Sequence, residues 1–256
     1  TVCWVSEGRS QSTRQRAEKY QLVDTGSLEA LCQTCSLLIS VCPPHAAESV
    51  AGQVIAAGFR GVYLDANAIA PQRACQIAVR MAAAGISFVD GGIIGGPAWQ
   101  TASTWLYLAG EQAGRVGACF GAGPLEIRLL GEQVGQASAL KMCYAAYSKG
   151  STALLCAVLG AAEELGVRAD LEGQWARDDA GFPAQAAQRA RRVTAKAWRF
   201  AGEMEEIAAT FQQAGLPDGF HQAAAELYRR LAGFKDRDMP PELDEVLAAL
   251  QAEGNE

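Results

Sequence analysis

The feature that most constrains the fold is a change of pattern near residue 135. Before this point, short apolar runs such as Leu37–Cys42 and Gly61–Asp65 alternate with helical segments such as Ala46–Ala57 and Pro71–Ala84. Short apolar strands that alternate with helices are typical of a parallel sheet with crossover helices, because such strands are buried on both faces. We therefore expect an α/β domain in the first part of the chain.

Beyond residue 135 the pattern is almost entirely helical. The segment Gln136–Leu165 is rich in Ala and Leu and is apolar on most sides, which predicts a helix buried inside a domain or between subunits. Further amphipathic segments follow it. The sequence predicts a parallel-sheet domain of residues 1–133, followed by an all-α domain of residues 134–256.

The composition is that of a globular protein with an acidic balance. The chain has 256 residues, a formal net charge of −6 and 50% hydrophobic residues. A nucleic-acid-binding protein usually carries a basic face, so this charge argues against that class. No apolar run is long enough to span a bilayer, and no basic-then-apolar signal peptide opens the chain. We expect a cytoplasmic protein with no nucleic-acid or membrane partner.

The eight cysteines are expected to be reduced packing residues. They are scattered in apolar surroundings, and a chain of this size without a secretory signal usually keeps its thiols reduced. Cys32 and Cys35 form one CxxC pair, but no second pair follows at zinc spacing, and the histidines are His45 and His221. The sequence therefore gives no reason to expect a metal.

Four stretches stand where strands or helices of this pattern end or begin. They are Ser40–Pro44, Asp65–Pro71, Asp90–Pro97 and Gly135–Lys141. In this order they resemble the β-hydroxyacid dehydrogenase family, which includes 3-hydroxyisobutyrate and 6-phosphogluconate dehydrogenases. The resemblance implies a Rossmann-like domain followed by a helical substrate and dimerisation domain. It also implies an NAD(P)-dependent oxidoreductase that acts on a small molecule.

The first two stretches resemble the family's cofactor-binding loops. Ligands of open α/β sheets lie beyond the carboxyl ends of the strands, and the resemblance implies that Cys42, Pro43 and Pro44 lie beside the cofactor. In the second stretch it places Asn67 near the nicotinamide, where an amide can both donate and accept hydrogen bonds. A strand stopped by prolines and a helix cap are the corresponding structural alternatives.

The third stretch, Asp90–Pro97, is rich in glycine. Glycines let the backbone approach a ligand and expose N–H donors to an anion, and packing alone explains four glycines in six residues poorly. The stretch resembles the family's substrate-binding signature, with Ile94 in place of the usual serine. We predict substrate contacts by these glycines, namely Gly91, Gly92, Gly95 and Gly96.

The fourth stretch places Lys141 near the start of the long apolar helix. A lysine in apolar surroundings must find a partner or lower its pKa, and a lowered pKa suits acid/base catalysis. The alternative is a lysine whose ammonium extends to solvent. The resemblance implies that Lys141 is the catalytic lysine. The family often has Asn one turn later, where this chain has Ala145, so we expect Tyr144 and Ser148 to supply substrate contacts there.

The start of the chain departs from the family. No G-x-G-x-x-G follows a first strand, and Thr1–Val5 resembles the family's second strand. Pyrophosphate binds at the turn after the first strand. We expect a fragment of a longer protein that binds dinucleotide poorly until its front is restored. The alternative is a protein that has lost cofactor binding.

The loop after the first apolar run bears on the choice of dinucleotide. Glu7 can accept from ribose hydroxyls, as in NAD users. Arg9, Ser10 and Arg14 can hold a 2′-phosphate, because a guanidinium suits phosphate. We predict NADP with contacts from Arg9 and Ser10, and keep NAD and a plain surface loop as alternatives.

Three functional hypotheses follow. The first is a dehydrogenase that transfers a hydride between nicotinamide and a small hydroxy or oxo acid, with Lys141 as general acid/base. The second is an imine-reductase-like enzyme, against which Lys141 counts because those relatives usually lack the lysine. The third is a non-catalytic dimeric binding protein. In each case we expect a homodimer built on the helical domain.

Overall fold

The computed structural model describes residues 1–252. The chain divides into two compact units, Thr1–Lys141 and the part from Met142 onwards. The strands are β1 (Cys3–Trp4), β2 (Val23–Asp24), β3 (Leu37–Ser40), β4 (Val62–Asp65), β5 (Ser87–Gly95), β6 (Thr104–Ala109) and β7 (Glu126–Gly131). The α-helices are α1 (Gln11–Lys19), α2 (Leu28–Thr34), α3 (Ala47–Ala56), α4 (Pro71–Ala83), α5 (Ala113–Ala118), α6 (Gln136–Glu164), α7 (Arg168–Asp178), α8 (Phe182–Gln213), α9 (Gly219–Arg230) and α10 (Leu243–Gln251).

The first unit contains a five-stranded sheet in the order β3-β4-β5-β6-β7. Strands β3, β4 and β5 pair in parallel, as do β6 and β7, which confirms the parallel-sheet prediction. Strands β5 and β6 are antiparallel. Residues 96–103 join them, and so short a connection cannot carry the chain back across the sheet for a parallel pairing.

Both faces of this sheet are covered. On one face Tyr63 and Phe88 pack in a core with residues of α3 and α4 such as Val54 and Ile77. On the other face the core includes Leu64 and residues of α5. Burial on both sides explains why β4 is apolar without alternation.

Strands β1 and β2 form a separate parallel pair, and within residues 1–252 neither of them pairs with the five-stranded sheet. The sequence analysis missed β2 and the helix α2. Two residues in β2 are too few to give a periodic pattern. The expected first strand of a longer protein stays a prediction.

The second unit is helical, as predicted. Its core includes Cys156 and Leu159 of α6 and Met204 of α8. One side of α6 is exposed in the single chain, where Tyr147 is 82% exposed and Leu154 is 52% exposed, so burial of that side between subunits stays a prediction. No helix in the described part of the chain is long and apolar enough to cross a membrane.

The start of α6 is fixed to β5 by a buried carboxylate. Asp90 is 1% exposed. Its Oδ2 accepts hydrogen bonds from the backbone N–H groups of Gly135, Ala137 and Ser138 at 2.9, 2.9 and 3.0 Å. Its Oδ1 accepts one from the Ser138 hydroxyl at 2.5 Å. The first N–H groups of a helix have no partner within the helix, and the positive end of the helix dipole favours an anion there.

We predict that Asp90→Ala lowers the free energy of unfolding by at least about 2 kcal/mol, because it leaves buried donors unpaired. Ser138→Ala removes one of the four hydrogen bonds and is expected to cost about 1 kcal/mol. Urea unfolding at pH 7 measures both. Asp218→Ala is the control, since Asp218 precedes α9 without a side-chain cap. Equal effects of Asp90→Ala and Asp218→Ala would contradict the prediction.

Candidate functional site

A row of buried polar residues crosses the carboxyl ends of three strands. Ser40, Asp65 and Asp90 are register partners in β3, β4 and β5, and they are 5%, 2% and 1% exposed. Because register partners in neighbouring parallel strands point to the same face, the three side chains share one face of the sheet. The carboxyl edge of a parallel sheet is where ligands of such folds bind.

Asn67 ties the loops after β3 and β4 together. Its Oδ1 accepts from the Cys42 N–H at 2.5 Å, and its Nδ2 donates to the Ser40 hydroxyl at 3.0 Å. Its own N–H donates to Asp65 Oδ1 at 2.9 Å. The structure therefore brings together Cys42 and Asn67, two of the predicted cofactor-binding residues. Asn67 is 2% exposed, so its amide shapes the edge by holding Cys42 in place.

Asp65 is the member of the row with an unused acceptor. Its Oδ2 is buried and has no hydrogen-bond partner among residues 1–252. Burial raises the pKa of Asp65 to about 6 against the hydrogen bonds from Asn67, with the Asp90 charge acting in the same direction as burial and Lys141 opposing it. Burial likewise raises the pKa of Asp90, although its hydrogen bonds oppose this. Desolvation disfavours the charged form of a carboxyl group.

Lys141 lies in the second turn of α6, against Gly92 of β5. A Cβ atom on Gly92 would lie 3.3 Å from Lys141 Cβ and 2.7 Å from the Ala137 carbonyl oxygen. Lys141 is half-buried and acts electrostatically on Asp65. The structure thus places Lys141 beside the polar row, at the predicted glycine stretch.

Packing explains the glycine stretch better than the sequence suggested. A Cβ atom on Gly91 would lie 2.8 Å from Leu64 Cδ1, and one on Gly95, whose φ is +125°, would lie 2.5 Å from the Ser103 carbonyl oxygen. With Gly92 against α6, three of the four glycines have a structural reason. Gly96 has open space where a Cβ atom would be. The argument that packing cannot account for these glycines is therefore wrong, while their substrate contacts stay a prediction.

The predicted adenosine-binding residues lie at the end of β1. Ser10 caps α1, since its hydroxyl accepts from the Thr13 N–H at 3.3 Å. Arg9 is exposed and close enough to Cys42 to oppose the rise in pKa that burial causes in that thiol. Pro43 is exposed and Pro44 is buried. The structure therefore brings the β1 loop near the β3 loop.

The remaining predicted substrate residues lie further along α6, in the second unit. Tyr144 is 56% exposed. Ser148 is half-buried, and its hydroxyl donates to the Ala145 carbonyl oxygen at 3.4 Å. Their roles stay predictions.

Sequence reasoning missed Asp65, Asp90 and Ser138 as members of the site. A signal was present, because each aspartate is the last residue of an apolar run, where a charged side chain meets the edge of a parallel sheet. Among residues 1–252, no three histidine, cysteine or acidic side chains form a metal-binding group.

We predict that Asp65→Asn stabilises the protein at pH 8 by about 1–3 kcal/mol. A folded-state pKa of about 6 lies above that of an unfolded aspartate, so the ionised carboxylate destabilises the folded state by roughly 1.4 kcal/mol for each unit of pKa. This penalty is complete above pH 6 and disappears as the pH falls towards 4. Urea unfolding of both proteins at pH 8, 6 and 4 tests this. A difference that does not change with pH would contradict it.

Two sequence comparisons match parts of the chain. A family model described as a domain of unknown function, DUF1932, matches residues 162–231, which lie in the helical unit. An uncharacterised 28.5 kDa protein of Methanothermus fervidus is 29% identical over 166 residues. This match covers 63% of the chain and 61% of that protein, so the chain spans less than two thirds of the relative.

Solved structures match nearly the whole chain. MTH1747, a conserved protein of unknown function described as similar in structure to 3-hydroxyacid dehydrogenases, has a TM-score of 0.63 and 27% identity, with 91% of this chain and 88% of that chain covered. A 3-hydroxyisobutyrate dehydrogenase of Mycobacterium tuberculosis, with L-serine, has a TM-score of 0.64 and 17% identity, with 94% and 89% covered. A reductive aminase of Aspergillus terreus, in complex with NADPH and ethyl-5-oxohexanoate, has a TM-score of 0.52 and 17% identity, with 94% and 88% covered.

These matches agree with the element order and with the sheet-then-helix division of the chain. The chain has the fold of the 3-hydroxyisobutyrate dehydrogenases and similar proteins, and this confirms, at the level of the fold, the resemblance that the four motifs indicated.

Proposed function

We propose that this chain is part of an NAD(P)-dependent dehydrogenase or reductase that acts on a small hydroxy or oxo acid, with Lys141 as general acid/base. The observation that carries the proposal is the position of Lys141. The lysine packs against Gly92 at the carboxyl edge of the sheet, where α/β folds bind their ligands. The known activities of the structural neighbours agree with this chemistry.

The dinucleotide, Lys141 and Asn67 have separate roles in the proposed reaction. The dinucleotide, when bound, supplies the carbon that accepts or donates the hydride. Lys141 in its amine form takes the proton of the substrate hydroxyl during oxidation, and in its ammonium form it returns the proton during reduction. Asn67 holds the Cys42 N–H and so keeps the loop after β3 in one conformation.

We propose that the cofactor side of the site takes the adenosine end of NADP. Arg9 is exposed beside the cap of α1, and a guanidinium next to a helix N-terminus suits a phosphate. The printed sequence contains no G-x-G-x-x-G turn for the pyrophosphate. We therefore assign the 2′-phosphate contact to Arg9 and Ser10, and assign no pyrophosphate contact.

We predict that Lys141→Ala lowers kcat by about 10²–10⁴-fold on the substrate found in a panel of small hydroxy acids with NADP⁺. Lys141→Arg is expected to lower kcat as well, because a guanidinium does not release its proton near neutral pH. Assays of NADPH formation measure kcat for both variants. Lys196→Ala is the control, since Lys196 is exposed on α8. Near-native turnover by Lys141→Ala would remove the acid/base role. Turnover of a cyclic imine in place of hydroxy acids would favour the imine-reductase alternative.

We predict that the chain binds adenosine 2′,5′-bisphosphate more tightly than AMP, and that Arg9→Ala removes about tenfold of this preference, since a charge-assisted hydrogen bond contributes about 1.5–3 kcal/mol. Titration calorimetry with the two nucleotides measures it without the pyrophosphate turn. Arg16→Ala is the matched control, because Arg16 is exposed on α1 and its side chain bonds Thr13. If the wild-type chain shows no preference, the assignment to NADP is wrong.

We propose that the outward face of α6 binds a second copy of the chain. Tyr147 and Leu154 are exposed on α6, and exposed Leu165 directly follows the helix; exposed apolar patches of this kind mark interaction sites. We expect a dimer by light scattering, and a monomer for Tyr147→Glu. Glu164→Lys, at the end of the same helix, is the control. A wild-type monomer at micromolar concentration would contradict the proposal.

A further inference from the structure

The two buried aspartates of the site are satisfied to different degrees. Asp90 accepts four hydrogen bonds from residues at the start of α6. Asp65 accepts the Asn67 N–H with Oδ1, while its Oδ2 is buried without a partner. A buried carboxylate oxygen without a hydrogen bond is costly, so its retention calls for an explanation.

Four ionisable groups act on Asp65 or are acted on by it. They are Tyr63 on β4 itself, Cys42 in the loop after β3, Asp90 on β5 and Lys141 on α6. Among these four, Lys141 is the cation. Asp65, Asp90 and Gly92 share one face of the sheet by strand alternation, and Lys141 packs on Gly92. The lysine backbone therefore lies on the same side of the sheet as the Asp65 carboxyl group, and its charge acts on that group.

We propose that Asp65 is a positioning residue whose charge acts on the ammonium of Lys141 from the same face of the sheet and raises its proton affinity. The inference rests on the proposed function, in which Lys141 moves the substrate proton. An ionised carboxylate close to a lysine favours the ammonium form, and a neutral side chain in its place favours the amine. Asp90 is less suited to this task because the helix N-terminus already compensates its charge.

The raised pKa of Asp65, about 6 because of its burial, makes the effect depend on pH. Above pH 6 the carboxylate is ionised and supports the ammonium. Below pH 6 the carboxyl group is neutral and this support is lost. The charge of Asp65 therefore belongs in any description of Lys141 at neutral pH.

The proton affinity of Lys141 can be measured directly by competitive acetylation. The folded chain is treated with a trace of acetic anhydride between pH 7 and pH 11, and the modified fraction of each lysine peptide is read by mass spectrometry. Only the neutral amine reacts, so the midpoint of each curve reports the pKa of that lysine. We expect Asp65→Asn to move the midpoint of Lys141 down by about 1 pH unit and to leave the midpoint of exposed Lys196 in place.

Ser40→Ala is the matched control, because Ser40 is the register partner of Asp65 and carries no charge. It is expected to leave the Lys141 midpoint unchanged. An unchanged midpoint in folded Asp65→Asn overturns the proposal, and so does an equal shift in Ser40→Ala, which would indicate packing in place of charge. Asp65→Ser removes the same charge if Asp65→Asn does not fold. The labelling needs no substrate, so its outcome is separate from that of Lys141→Ala turnover.

Discussion

The buried carboxylate of Asp90 at the start of α6 is the interaction on which the site depends. It joins β5 to the first N–H groups of α6, and so fixes where that helix begins and how closely it approaches the sheet. The close approach leaves no room for a side chain at Gly92. It also places Lys141, in the second turn of α6, at the carboxyl edge. Without the hydrogen bonds to Asp90, the start of α6 would not be fixed against β5, and neither would the position of Lys141.

Burial of the polar row Ser40, Asp65 and Asp90 costs free energy, and hydrogen bonds compensate the three side chains to different degrees. Asp90 is compensated by a helix N-terminus and the Ser138 hydroxyl, and Ser40 by the Asn67 amide. Asp65 is compensated least, as its vacant Oδ2 shows. A buried polar network that is only partly satisfied destabilises a fold, and such local penalties are common where function requires a charge. The proposed action of the Asp65 charge on Lys141 is the function that this penalty serves.

Fold and function rest on different arguments for this chain. The fold follows from the sheet order, the helical second unit and the similarity to solved structures. The reaction does not follow from the fold, because one architecture supports several chemistries. In the proposed function it depends on Lys141, on the groups around it and on the substrate. Ile94 and Ala145 stand where the motif resemblance would place polar residues, so the substrate contacts of this chain stay a prediction.

The sequence by itself determined the sheet-then-helix division, most long elements and the candidate lysine, because hydrophobic periodicity is a local property of the chain. It did not reveal short elements such as β2, the antiparallel step between β5 and β6, or the outward face of α6. It also misjudged the glycines, since the neighbour that excludes a side chain at Gly92 lies 45 residues away at Ala137. Only the tertiary structure decided that Asp65, Asp90 and Lys141 meet at one edge. Contacts between residues far apart in the chain produce no periodic pattern in the sequence. The pKa values of these groups depend on burial, and burial exists only once the chain is folded.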